Sequence, residues 1–188
     1  MRTIELDERA VRATVTIVAG VSREDLSRPT PCAGWDLAAL LAHMTVQHRG
    51  FAAAAAGRGA DPALWVPAPL AADFAAGYAA AAEEVIAAFA APDVPGRGFD
   101  LPEFGTRPIP GHLAIGFHLV DYLVHGWDVA TALGVAYEPD GELVTAALPI
   151  VEAVPDDERR LQPGAPFAPA LPDPGTGPFG RLLALLGR

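Results

Sequence analysis

The chain contains no lysine and no asparagine, a single cysteine, few aromatic residues and little charge of either sign. Cys32 alone cannot form an internal disulfide or a cysteine-cluster metal site, so any metal is left to histidine and carboxylate. With 13 basic residues, all arginine, against 23 acidic ones, the formal net charge is -10, and the averaged field repels phosphate backbones and anionic lipid. Nucleic acid and membrane partners are therefore not expected. No apolar run approaches the ~20 residues of a membrane span. The charged start MRTIELDERAVR lacks the apolar core of a signal peptide, so a cytoplasmic location is expected.

What remains is apolar and helical in character. The 188 residues are 51% hydrophobic, enough for a single domain over 1–188 that buries roughly two thirds of its unfolded surface. Five prolines precede Pro92, and six cluster between Pro163 and Pro178, so helix is expected early and loop late. Val11, Val15 and Val18 at helical spacing mark a helix over 4–20 ending at Gly20. After the loop PTPCAGWD, Asp36 can cap a second helix whose Leu37, Leu40, Leu41, Met44, His48 and Phe51 share a face before Gly57. An Ala-rich third helix is expected over 70–91, a fourth over 111–134 and a fifth over 141–154, followed by the apolar end RLLALLGR. FDLPEF and APFAPAL are candidates for short extended pieces. The fold class expected is all-α, an antiparallel helical bundle with an irregular Pro/Gly-rich tail over 155–188 wrapping it.

The fourth helix, GHLAIGFHLVDYLVHGWDVATALG, carries the side chains of chemical interest. Asp121 and His125, at i and i+4, lie within about 40° of each other around the axis, and His118 sits on the same face one turn earlier. Ile115, Tyr122 and Val129 continue the stripe, so these polar groups face the interior, where they need partners. An Asp-x-x-x-His pair plus a histidine from a neighbouring helix is a ligand set for catalytic zinc or non-haem iron, and His43, on the shoulder of the second helix, is the distal candidate. The alternative is that these are hydrogen-bonded core histidines. His48 and His112 read as ordinary core or surface histidines, and Cys32 as a packed thiol with no basic neighbour in sequence to activate it. Asp128 reads as a structural carboxylate or one that orients a ligand.

PTPCAGWDLAALLAHM, LVDYLVHGWDVATALG and GRLLALLGR resemble, in order and spacing, three blocks of the metal-binding proteins related to mycothiol-dependent maleylpyruvate isomerase, within the DinB/YfiT-like superfamily. The resemblance implies a DinB-like four-helix bundle holding one divalent metal, zinc first and nickel, manganese or iron as alternatives, through His43, Asp121 and His125. His118 adds an imidazole and stands as a fourth ligand, a general base or a core residue; the general base makes it the catalytic candidate. The resemblance further implies metal-assisted chemistry of a low-molecular-weight thiol, mycothiol, on an electrophilic small molecule, by transfer or isomerisation. The all-Arg, Ala-rich composition, typical of high-GC coding, suits the actinobacterial setting of that thiol. Arg49 and Arg107 are the candidates to bind its anionic groups. A metal enzyme without a thiol, or a non-catalytic ligand-binding protein, is the alternative, and a homodimer is left open. The isomerase itself carries a further C-terminal domain beyond the matched blocks, so fold is expected to transfer better than reaction.

Overall fold

The computed structural model describes residues 2–162 and 164–188. The chain is all-α, with one two-stranded sheet among the described residues, and it divides into two compact units, 1–137 and 138–188.

The first unit contains α1 (Arg2–Val18), α2 (Leu37–Ala55), α3 (Phe74–Phe89) and α4 (Gly111–Leu133). α1 packs on α3 and α4, and α2 packs on α3 and α4. Each start and stop follows from local chemistry. The Asp36 carboxylate accepts the Ala39 N–H at 2.9 Å and opens α2, as its sequence position predicts. α4 ends at Gly134 in the left-handed region (φ 71°), whose amide, like that of Val135, turns back onto the last carbonyls. α3 is shorter than the expected 70–91. Its alanines continue before Phe74, but apolar anchors do not, and the buried residues run from Phe74 through Tyr78, Ala81, Ala82 and Val85 to Phe89.

Between α3 and α4, β1 (Gly98–Phe99) pairs antiparallel with β2 (Ile109–Pro110). The FDLPEF segment thus contributes only its first residue to a strand, and Pro102–Phe104 forms a 3-10 turn. Phe51, Val85, Phe89, Phe99, Leu101 and Ile115 close the core at this end.

In the second unit, α5 (Gly141–Glu152) and α6 (Pro178–Leu185) pack together. Its loop is organised by Arg160, 8% exposed, whose guanidinium donates to the carbonyls of Val154, Pro155, Ala168 and Leu185. APFAPAL forms no strand: with prolines at 166 and 169 it cannot supply a regular ladder of donors, and its chain is tied down by Arg160 instead. No helix among the described residues is long and apolar enough to cross a membrane.

Candidate metal centre

Two loops and two helices assemble the centre. Thr30 and Trp35 close the turn before α2: the Thr30 hydroxyl donates to the Trp35 carbonyl at 2.9 Å and accepts the Cys32 amide at 3.2 Å. Arg28, ion-paired to Asp25 at 2.8 Å, also reaches the last carbonyls of α4, those of Ala132 and Leu133. A cation at a helix C-terminus is favourable, and here it fastens the turn to α4. Cys32 is thereby carried to the side of α4 that bears Asp128 and His125.

α2 and α4 run antiparallel past each other, since His43 meets His125 (ring centroids 5.3 Å apart) and His48 meets His118 (5.3 Å). One ligand-type atom from each of His43, Asp121 and His125 lies within 4.8 Å of the others. Asp121 Oδ1 is 3.2 Å from His125 Nε2, while Asp121 Oδ2 is buried with no partner among the described residues. Trp35 lies against the outer face of His43, centroids 4.9 Å apart.

On the far side of its ring, His125 Nδ1–H donates to Asp128 Oδ2 at 2.9 Å, and the Cys32 thiol donates to that same oxygen at 3.2 Å. The sequence gives Cys32 no basic neighbour; the fold brings His125 Nδ1 to 3.8 Å of its sulfur from 93 positions away. Burial opposes charge on His125, but Asp121, with hydrogen bonds to Asp121, Asp128 and Cys32, raises its pKa well above the usual value. The same pairing overcomes burial at Asp121 and holds its carboxyl well below the usual range. His43 is different: burial lowers its pKa, against the pull of Asp121.

Two imidazoles and a carboxylate with an unpartnered buried oxygen are a donor set suited to a divalent ion. The residues fit such an ion on two further grounds. His43 is biased to its neutral, ligating form, and Asp128 fixes the tautomer that turns His125 Nε2 toward the other two.

The remaining predicted residues lie elsewhere. His118 is fully buried one turn before Asp121, and both its ring nitrogens are engaged, Nδ1 with Asp7 at 2.7 Å and Nε2 with His48 Nδ1 at 3.3 Å. It is not among the converging atoms. Arg49 is exposed and lines a cavity of about 150 Å³ with Ala42, Thr45, Val46, Val66 and Phe74, which none of the three candidate ligands lines. Arg107 is exposed in the loop before β2, and His112 is exposed at the start of α4.

One residue near the centre has no sequence signal. Glu103 belongs to the 3-10 turn that Phe104 fixes by stacking on Phe117 of α4 (5.1 Å, 19°), one turn before Asp121. Although the residue's surface is exposed, its carboxyl is partly desolvated and feels the charge of Asp121, which together raise its pKa to about 7.

The mycothiol maleylpyruvate isomerase N-terminal domain family matches residues 8–130, a span that starts within α1 and takes in every residue of the centre. The chain belongs to this family. Two uncharacterized proteins of Mycobacterium tuberculosis, from strains CDC 1551 / Oshkosh and ATCC 25618 / H37Rv, are similar to this chain over nearly the full length. Each is 35% identical over 187 residues, covering 96% of this chain and 94% of the relative. No solved structure matches the chain.

Proposed function

We propose that this family member holds one divalent ion, zinc first, between His43, Asp121 and His125, and uses it in chemistry of a low-molecular-weight thiol on an electrophilic small molecule. The observation that carries the reading is the meeting of three ligand-type atoms from two helices, one of them from a carboxylate whose Oδ2 is buried with no hydrogen-bond partner among the described residues. The packing of α1 on α3 and α4, and of α2 on the same two helices, supports a DinB-like four-helix bundle as the scaffold. When bound, the ion would supply Lewis acidity, favouring the ionised form of a thiol or water at the open coordination positions.

The chain's own residues do the rest. Asp128 accepts from His125 Nδ1 and holds the ring in register. Trp35 packs against the ring of His43. Glu103, whose carboxyl pKa is raised to about 7 by desolvation and the charge of Asp121, is suited to exchange a proton with a substrate. Membership of the mycothiol family favours mycothiol as the thiol. Arg49, and Arg107 from the loop, are the proposed partners of its anionic groups.

The test is elemental analysis of the purified protein, followed by consumption of an electrophile such as maleylpyruvate with mycothiol, with glutathione and with no thiol. One metal per chain with mycothiol-dependent turnover is expected. Metal with thiol-independent turnover would reassign the reaction, and a chain that takes up no metal would overturn the centre.

A further inference from the structure

A second set of titratable side chains runs through the interior of the first unit, apart from the His43, Asp121 and His125 group. Three helices contribute one residue each: Asp7 from α1, His118 from α4 and His48 from α2. Asp7 Oδ1 is 2.7 Å from His118 Nδ1, and His118 Nε2 is 3.3 Å from His48 Nδ1. Both histidines are 0% exposed and Asp7 is 1% exposed. Aromatic rings wall the chain off from water. His48 lies flat on Tyr122 (3.9 Å, 9°) and tilts against Tyr78, while Phe51 and Phe89 set their rings edge-on to His118.

The chain is continuous in hydrogen-bonding groups yet open at one end. His48 Nε2 is buried without a partner among the described residues, and the one other side-chain atom there in the same condition is Asp121 Oδ2. Asp121 lies one turn beyond His118 on α4, and its charge acts on His48. As a stabilising device this arrangement is poor. An unmet buried nitrogen costs stability, and packed apolar side chains would fill the space without it.

We infer that Asp7, His118 and His48 form a buried proton relay that serves the metal centre, with His48 Nε2 as its receiving end and Asp7 as its store. The inference rests on the metal-centre reading above. A proton arriving at His48 Nε2 is matched by transfer of the His48 Nδ1 proton to His118 Nε2 and of the His118 Nδ1 proton to Asp7 Oδ1. One proton enters, one is stored, and no bond between heavier atoms changes. The reverse sequence returns it. The titratable groups facing the relay are Glu8 beside Asp7 on α1, Tyr78 on α3, and Asp121 and Tyr122 on α4. Burial keeps the Asp7 carboxyl above the usual range, which suits a store, and keeps His48 neutral, which suits a carrier without standing charge.

The full chain, freed of metal, is titrated with one equivalent of zinc in weak buffer containing a pH indicator, for the wild type, Asp7→Asn and His48→Phe. The phenylalanine keeps the stack on Tyr122 if the asparagine variant fails to fold. All three are expected to bind zinc equally, with the wild type releasing up to about one proton more per zinc, because the added positive charge drives the stored proton out through a relay that the variants lack. In the metal-free protein, ¹⁵N spectra of the histidines should show Asp7→Asn shifting His48 as well as His118. Equal proton release with zinc bound, and His48 signals unmoved, would overturn the relay alone. Failure of the wild type to bind zinc would overturn the centre, and the relay's role with it.

Discussion

The imidazole of His125 is held between two carboxylates, with Asp121 Oδ1 3.2 Å from Nε2 and Asp128 Oδ2 2.9 Å from Nδ1. Asp121 is half-buried and Asp128 fully buried, so the two do different work. The outer carboxylate converges with His43 and the ring on one point, whereas the inner one, which accepts from both His125 Nδ1 and the Cys32 thiol, orients the ring from behind and with Cys32 forms a second convergent group.

Asp128→Asn is therefore expected to leave the three ligands in place and weaken metal binding about 10–100-fold, the usual effect of losing an orienting partner. Competition against a chelator of known affinity measures it. An affinity equal to that of the wild type would show that the tautomer is fixed by other means.

Metal uptake should depend steeply on pH. The raised pKa of His125 means that an ion must displace a proton from its ring, so apparent affinity should climb roughly tenfold per pH unit while that proton is bound. Chelator competition between pH 6 and 8 reads the slope, and a flat profile would contradict the raised value.

The same shift sets the stability of the metal-free protein. A histidine whose folded pKa is raised contributes stability that is fully present below its unfolded value, about 6.5, and lost as pH rises through the folded value. Asp121, held low, contributes above its unfolded value of about 3.9 and loses that contribution as pH falls. Melting temperatures of wild type and Asp121→Asn should accordingly differ most in the weakly acidic to neutral range, and converge at strongly acid pH.

Glu103→Gln tests the proposed proton exchange beside Asp121. If its carboxyl titrates near pH 7, a turnover profile with an inflection there should lose that inflection in the variant, with metal content unchanged. An inflection that survives belongs to another group.

Gly126→Ala probes how closely the chain packs behind His125. A Cβ at 126 would stand 2.6 Å from the Tyr137 hydroxyl oxygen, so the substitution should cost about 1–3 kcal/mol by denaturant unfolding. Tyr137→Ala in the same chain should recover part of the loss.

The parts of this molecule that local spacing determines were legible in the sequence. Asp36 as a cap, Gly134 as a stop and the buried stripe of Ile115, Tyr122 and Val129 all act within one or two helical turns, and α2 and α4 form where their patterns place them. The convergence of His43 with Asp121 and His125 follows from two such faces meeting. Periodicity also puts His118 in line with that pair, but alignment around a helix says nothing of distance along it. At about 1.5 Å per residue, His118 lies roughly 10 Å from His125 along the axis, at a level where Asp7 and His48 surround it.

Asp7 had no such signature. It is one acidic residue among several in RTIELDERAVR, and its partner stands 111 positions away. Cys32 is a similar case, since the group that gives it chemical interest comes from the other end of the unit. In α3 and in APFAPAL, composition outran anchoring: alanine favours helix and apolar residues favour burial, but neither fixes a boundary without a packed side chain or a paired amide.

Trp35 is 37% exposed and its indole rests 4.9 Å from the ring of His43, which makes it a built-in optical gauge of the centre. Its emission should respond to whatever His43 holds. An open-shell ion such as nickel or copper would drain the excited state and dim it, while closed-shell zinc would leave it bright and alter only its colour. With Trp65 and Trp127 replaced by phenylalanine, the identity of the occupant could then be followed in dilute solution without any attached dye.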